Sequence, residues 1–443
     1  MKRAGFIFSL FLILNLGVNA QMISLEEARE LALVNSRSLA KHQLAIQSSI
    51  LDEKNQLYAM LPQISANYSV KMDYFKNWKF INPVDTLNAG AGLSITQVIF
   101  QGGKSFIQKA ISSIATESVR KDALAEYFNV LDSVDNAYYA ALEAAAALQS
   151  EEFSLHAAGL GLAIAEIRYQ TGMINQGDYL RSLADKESRE SSRNQAQRNL
   201  TISTIRFRNL LGITDAVIPQ PVSFEAYEDV IQRLSAVSTG DAEALYNAFW
   251  KILAKENPSI AKANLSNQRA EKNHTMSKRD YAPTISATVF SADFNLYPGI
   301  GSSGNGGVTI RGTIPVDFWV LNNKLKKSQI ALDSAAIDYA NLEYSLEQEL
   351  FNALSNIFAQ AGTVLSSRRS LEYTEKHYEF VMERYRLSQG SVSDLNEATS
   401  LYITSQNNLN KASYSFLQSL SKLRSLCAMD DEQKLINLLL GTK

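Results

Sequence analysis

Two short stretches of this chain bring a cation, a phenol and a carboxylate together at matching spacing. One contains Arg168-Tyr169, Gly172, Asn175 and Asp178; the other contains Arg384-Tyr385, Gly390-Ser391 and Asp394. Laid over each other without a gap, Arg, Tyr and Asp coincide at an offset of 216 residues. The chemistry available to these types is noncovalent. A guanidinium just before a turn can bond the last carbonyls of a helix. An acid three residues after Asn175 or Ser391 sits in the first turn of a capped helix and favours its dipole. Asp394 and Glu397 stand three apart, so they share one helix face. Enzymatic alternatives find no support. His42, His156, His274 and His377 are scattered without metal-ligand spacing. Gly102-Gly103-Lys104-Ser105 resembles the end of a phosphate loop, but that motif needs a glycine where this chain has Val98. No nucleophile, base and orienting group fall into a catalytic pattern.

The turns need long elements to place them, and the duplication extends to those elements. Pro62-Gln-Ile-Ser-Ala66 returns as Pro283-Thr-Ile-Ser-Ala287 at an offset of 221, and Asn35-Ser-Arg-Ser-Leu-Ala-Lys41 resembles the stretch from Asn257 to Lys262. The order is the same in both halves, which makes a repeat of roughly 220 residues the organising feature of the fold. In the first half, Ser24-Leu-Glu-Glu27 is a capping box that opens a helical pattern running to Met60. After Pro62 the chain alternates. Ile64, Ala66, Tyr68, Val70, Met72 and Tyr74 oppose Gln63, Ser65, Asn67, Ser69, Lys71 and Asp73, a strand with one greasy and one wet face. A second, less regular strand covers 88–100, where Val98 and Phe100 lie opposite Leu93, Ile95 and Ile99. A helical pattern of nearly 70 residues follows, about 100 Å at 1.5 Å per residue, which implies partner helices.

The second half repeats this plan: a helix over 241–281, strands at 284–296 and 307–317, a long helix, the turn at 384–394 and a last helix. The change of greasy face from Ile285, Ala287 and Val289 to Phe290, Ala292 and Phe294 predicts a bulge in that strand. The expected domains are a leader at 1–20, a first repeat at 21–212 with strands 63–75 and 88–100 and turn 168–178, a linker or equatorial region at 213–240, a second repeat at 241–429, and a tail at 430–443 that packs beside the linker. The shorter helices of each half, stacked end to end, would match the long one and complete a two-stranded rod.

The first twenty residues read as a secretory signal peptide. Lys2 and Arg3 precede an apolar run from Ala4 to Val18, with a small-residue cleavage pattern before Gln21. Without Lys2 and Arg3 the chain has 41 basic and 45 acidic residues, a net charge of −4, which gives no electrostatic footprint for nucleic acid. The single Cys427 excludes an internal disulfide. Past the leader no apolar run suits a membrane-spanning helix, so any crossing is made by strands. Four strands of membrane length cannot close a barrel alone, and open strand edges are not viable in lipid. The strands therefore imply an oligomer.

The chain resembles the TolC family of outer-membrane efflux channels. The resemblance rests on Ser24-Leu-Glu-Glu-Ala28, the helix–proline–strand junctions at Leu61-Pro62 and Ala282-Pro283, Phe100-Gln-Gly-Gly103, and the two turns with their Arg-Tyr, glycine and Asp. It covers the whole chain after the leader. It implies a mainly α fold with a membrane β-barrel: a homotrimer with a 12-stranded barrel in outer-membrane lipid and a helical barrel in the periplasm. It further implies partnership with a periplasmic adaptor and an inner-membrane pump, in tripartite efflux or type I secretion, with no cofactor. By the same resemblance Tyr385, Asp394 and Glu397 match gate residues and Asp178 matches an acid of the first turn. Arg168, Gly172, Arg384, Gly390 and Ser391 fall on adaptor-contacting turns. Some members carry a gate arginine where this chain has Gly390, so its closing ion pairs differ.

Local readings stand beside these. Asp178 and Asp394 serve as caps or as a pore ring, Arg168 and Arg384 as carbonyl donors or adaptor contacts, and Tyr169 and Tyr385 as packing or gating groups. Trp78, Phe80, Tyr297 and Trp319 are membrane-interface aromatics or ordinary loop packing. The competing function is a secreted helical scaffold without a pore, against which the alternating strands argue.

Overall fold

The computed structural model describes residues 21–71, 74–76, 78–80, 88–291, 294–295 and 306–441. The expected leader, the loop residues 81–87, and the glycine- and serine-rich stretch with Tyr297 lie outside them. In chain order the first half contains β1 (Gln21–Ile23), α1 (Leu25–Asn35), α2 (Arg37–Tyr58), β2 (Gln63–Lys71), β3 (Phe75–Lys76), β4 (Lys79–Phe80), β5 (Asn88–Phe100), α3 (Lys104–Gln170) and α4 (Gln176–Leu211). Then come β6 (Val217–Pro219), α5 (Glu228–Ser235), α6 (Thr239–Glu256), α7 (Pro258–Lys278), β7 (Thr284–Phe290), β8 (Phe294–Asn295) and β9 (Gly307–Thr313). The chain closes with α8 (Phe318–Arg386), α9 (Val392–Leu426) and α10 (Glu432–Leu440). Among the described residues no helix is long and apolar enough to cross a membrane.

The chain divides into two compact units. One comprises Arg37–Tyr127 and Asn247–Phe351 and holds the main sheet. Its strands run antiparallel in the order β2-β5-β7-β9, with β8 also on β5. The register sorts the side chains into rows, because successive residues point to opposite faces. Ile64, Ile95, Val289 and Val308 form one row across all four strands, and all four are exposed. On the opposite face Gln63, Thr96, Thr288 and Thr309 form another. Hydroxyls bond each other on that second face: Ser65 Oγ to Ser94 Oγ at 2.7 Å and Thr96 Oγ1 to Thr288 Oγ1 at 3.1 Å. The sheet thus has one aliphatic and one hydroxyl face, and β2 and β9 are its edges.

The strand formed by β7 and β8 gains one residue against β5 where the change of greasy face predicts a bulge: Phe290 pairs with Ser94 and Phe294 with Ala91, four steps against three. β5 carries a second shift, between Val98 and Phe100, which returns Phe100 to the aliphatic face opposite Ile285. Phe290 keeps its regular place on the hydroxyl face and lies over Gly307, filling space left by the missing side chain. β7 ends there, and β9 ends at Thr313, two residues before Pro315, which has no N–H to donate. Gly102 is required where β5 passes into α3. Its φ is +67°, and a Cβ there would sit 2.5 Å from the Ala282 Cβ. Asp280 ties the two long helices at this end, accepting from Lys104 at 2.7 Å and Lys324 at 2.5 Å.

The helical patterns expected as single helices are each broken in two. The first breaks at Ser36, where ψ reaches 113°. The second breaks at Asn257, which caps α7 by accepting from the Ser259 and Ile260 N–H groups, with Pro258 as the first residue of the new helix. The two breaks fall on the duplicated Asn35 and Asn257 stretches. At the first, Asn35, the last residue of α1, donates from Nδ2 to the Leu211 carbonyl at 2.9 Å and so satisfies an open carbonyl at the end of α4.

The other unit comprises the described residues up to Ser36 together with Phe128–Tyr246 and the chain from Asn352 onward. The capping box at Ser24 and Glu27 is formed in both directions. β1 pairs in parallel with β6, and the Tyr138 hydroxyl donates to the Gln220 carbonyl beside them at 2.7 Å. A buried charge cluster joins four distant segments. The Asp135 carboxylate is inaccessible. It accepts two bonds from Arg29 at 2.7 and 2.8 Å, one from Arg424 at 2.8 Å and one from Ser421 at 2.5 Å. Glu432 of α10 joins through Arg29 at 3.1 Å and accepts from the Tyr227 hydroxyl at 2.7 Å. Burial disfavours the Arg29 cation, but the Asp135 carboxylate outweighs it, so the guanidinium holds its proton more tightly than usual.

Candidate functional site at the duplicated turns

Both turns are built the same way, bond for bond. In the first, Gly172 N–H donates to the Tyr169 carbonyl at 3.0 Å and Met173 N–H to the Arg168 carbonyl at 2.7 Å. In the second, Ser388 N–H donates to the Tyr385 carbonyl at 3.1 Å and Gln389 N–H to the Arg384 carbonyl at 2.8 Å. These bonds satisfy carbonyls that the helix end leaves open. The pattern needs one left-handed residue, which is Gly172 at φ +73° in the first turn and Ser388 at φ +64° in the second. Gly390, two positions further on, does not have a positive φ. Its own Cβ would lie 3.3 Å from the Tyr385 backbone nitrogen, a tight but sterically different constraint.

The returning helices are capped alike. Asn175 Oδ1 accepts from the Asp178 N–H at 2.9 Å, and Ser391 Oγ accepts from the Asp394 N–H at 3.1 Å. Asp394 also returns a bond, accepting from the Ser391 N–H at 3.2 Å, so this turn carries a complete capping box. That backbone donor, then the Ser391 hydroxyl, then the Arg384 charge hold the Asp394 carboxyl below the usual carboxylate range. Asp394 and Glu397 are both exposed on the first two turns of α9, and Asp178 is half-buried on α4.

The two tyrosines and two arginines part company despite their matched positions. Tyr169 stacks on Tyr179 at 5.2 Å and stays partly exposed. Tyr385 is completely buried among Val381, Val392, Leu395 and Ala398. Its hydroxyl donates to the Gly161 carbonyl of α3 at 3.2 Å. Burial raises its pKa, which Arg168 opposes. Arg384 folds back onto its own turn and donates to the Gln389 carbonyl at 2.9 Å. Arg168 instead reaches from the first turn to the second. Its guanidinium lies 4.3 Å from the centre of the Tyr385 ring and donates to the Tyr385 and Gly390 carbonyls.

At two positions the placement within the chain matches the local alternative. Arg168 is 6% exposed and donates to carbonyls of the second turn. Tyr385 packs in the core of this hairpin pair, its ring between α3 and α9. Gly172, Arg384 and Ser391 are exposed, and Gly390 is partly so. Two contributors escaped sequence reasoning. Gly161 admits Leu395 within 3.2 Å of where its Cβ would be, and Ser388 takes the strained turn position. The offset of 216 that aligns Gly172 with Ser388 was the available signal for the latter.

A family profile described as outer membrane efflux protein matches residues 28–213 and 251–428. No curated protein matches the chain at the sequence level. Solved structures resemble it over nearly their full length. The Campylobacter jejuni CmeC outer membrane channel aligns with a TM-score of 0.74 at 15% identity, covering 94% of this chain and 89% of that one. CusC, described for its folding and transmembrane channel formation, aligns with a TM-score of 0.76 at 17% identity and 95% of each chain. The outer membrane protein VceC from Vibrio cholerae aligns with a TM-score of 0.72 at 15% identity, covering 92% and 97%.

Proposed function

The chain belongs to the outer membrane efflux protein family, and we propose that three copies close their strands into one twelve-stranded barrel continuous with a periplasmic helical conduit. As a family member it is an outer-membrane efflux channel, and the pore-free scaffold falls away. The observation that carries the assembly is the four-stranded sheet, aliphatic on one face, hydroxylated on the other and unpaired along β2 and β9. Such edges do not persist in lipid. Two copies would make eight strands, an interior that side chains fill, whereas three make twelve and leave a bore.

The helices beside those edges support the same seam. Leu44, Leu51 and Tyr58 recur every seven residues on α2, which leads into β2, and all are exposed. Ile330, Ile337, Tyr344 and Phe351 recur every seven residues on α8, which follows β9, and are exposed as well. A seven-residue apolar repeat is the signature of a coiled-coil seam. Each stripe lacks a partner in its own unit, and the neighbouring copy supplies it.

At the other end of the long helices, Asp178, Asp394 and Glu397 form the acidic constriction, with Arg168 and Tyr385 as an internal clasp that holds the two turns of one chain together. Gly172, Arg384, Gly390 and Ser391 present the surface for a periplasmic adaptor, which links the channel to an inner-membrane pump. The channel is passive: opening comes from repacking of the turns when the adaptor binds. An acidic ring favours cations and binds multivalent ones.

Single-channel recording from the purified oligomer in a planar bilayer tests this reading. Long-lived cation-selective openings that Asp394→Ala alters are expected. Openings indifferent to the substitution would return Asp394 to capping alone, and a monomer that never inserts would overturn the assembly.

A further inference from the structure

We propose that Arg311 forms a cationic collar inside the barrel, near the end where the strands pass into the helices, and that this collar favours anions over cations at that level of the bore. The proposal rests on the channel reading above, because it takes the hydroxyl face of the sheet as the lumen. Arg311 on β9 lies opposite Ser286, which lies opposite Val98. The adjacent row on the same face is Thr309, Thr288, Thr96 and Gln63. The alternation of side chains places Arg311 with the hydroxyls and away from Val308 and Ile310. The bond between the Thr96 and Thr288 hydroxyls shows that this row shares one face of the sheet.

Arg311 is exposed, and no ion pair joins it to a carboxylate among the described residues. The acids that flank the sheet at its helical end, Asp280 and Asp317, do not serve it. Asp280 is held by Lys104 and Lys324, and Asp317 lies beyond Pro315 at the start of α8. The guanidinium is always charged and cannot discharge by losing its proton. Its position is one step from the Thr284–Thr313 pair that ends the sheet. Along this face it is the charged residue nearest the helical end.

Geometry sets how far the charge is felt. Twelve strands spaced about 4.8 Å apart and tilted about 40° give a barrel about 24 Å across at the backbone. A guanidinium reaching about 6 Å inward sits about 6 Å from the axis, well inside the Debye length of about 10 Å at 0.1 M salt. Three such charges overlap at the axis and enrich a monovalent anion there about fivefold, an effect that fades at 1 M salt where the Debye length is about 3 Å.

The native chain suits a local probe, because its single Cys427 is fully buried. Thr309→Cys places a thiol on the same face, one row from Arg311. The rates at which an anionic sulfonate and a cationic trimethylammonium methanethiosulfonate modify it are compared in the reconstituted oligomer. Arg311→Gln should lower the anion-to-cation rate ratio at least about fivefold at 0.1 M salt, Arg311→Lys should preserve it, and 1 M salt should abolish the difference. A ratio unaffected by Arg311→Gln overturns the collar while leaving the channel intact. Val308→Cys on the aliphatic face separates the two failures. If it reacts with both reagents as fast as Thr309→Cys, the hydroxyl face is not the lumen, and the channel reading falls with the collar.

Discussion

Removing Arg168 tests whether the two turns are held together by a single side chain. The guanidinium stacks 4.3 Å from the Tyr385 ring centre and donates to two carbonyls of the opposite turn. A hydrogen bond to a charged group is worth about 1.5–3 kcal/mol. A partly desolvated cation–π contact adds about 1–2 kcal/mol. Water replaces part of this at Gly390, which is partly exposed, so Arg168→Ala should cost the clasp about 3 kcal/mol. That is about a hundredfold in the ratio of clasped to released turns, since 1.4 kcal/mol corresponds to a factor of ten. Two assays read it. Amide hydrogen exchange at Tyr385–Ser391 should speed up by about two orders of magnitude, because local opening sets the rate there. The resting open probability in a bilayer should rise. Arg168→Lys should recover only part of either effect, since a point charge cannot stack and fork at once. Exchange and open probability both unchanged in Arg168→Ala would refute the clasp and reduce Arg168 to a space-filling residue.

Other substitutions separate the remaining forces. Asp135→Asn should destabilise the unit that contains it by about 3–5 kcal/mol, since it strands the buried Arg424 and Arg29 charges; thermal unfolding and protease cleavage near α10 would report the loss, and an unchanged midpoint would contradict it. Gly172→Val should cost about 1–2 kcal/mol by forcing a branched side chain into the left-handed region, while Ser388→Gly should be neutral or better, as measured by exchange at each turn. Asp394 has a lowered folded pKa, so its capping contribution is complete above the unfolded value of about 3.9 and is lost only as pH falls through the lower folded value. Protection of the first turn of α9 should therefore hold between pH 7 and 5, and a loss in that window would count against the capping box. Val289→Arg should destabilise the folded state in lipid vesicles by about 2–4 kcal/mol, whereas Thr288→Arg on the hydroxyl face should insert normally.

Much of this protein is set by periodicity and therefore visible in one dimension. Alternation of period two in Gln63–Val70 defines both faces of a strand before any partner is known. Steps of three and four after Gly103 define a helix, and the recurrence of Arg-Tyr and Asp at an offset of 216 residues defines the duplication. Caps at Ser24, Asn175 and Ser391 are local, since each involves residues three apart, and the structure forms all three. The tertiary structure decided what depends on the distance between segments. Matched tyrosines have opposite fates, because Tyr385 meets Gly161 across 224 residues while Tyr169 finds Tyr179 ten positions on. Matched arginines likewise diverge, as Arg168 crosses to the other turn and Arg384 returns to its own. The Asp135 cluster draws on residues 106, 289 and 403 positions apart, and no local pattern encodes such a meeting. A duplicated sequence repeats its local bonds, because those depend on neighbours along the chain. It cannot repeat its tertiary contacts, because each copy of the turn packs against the other and not against itself.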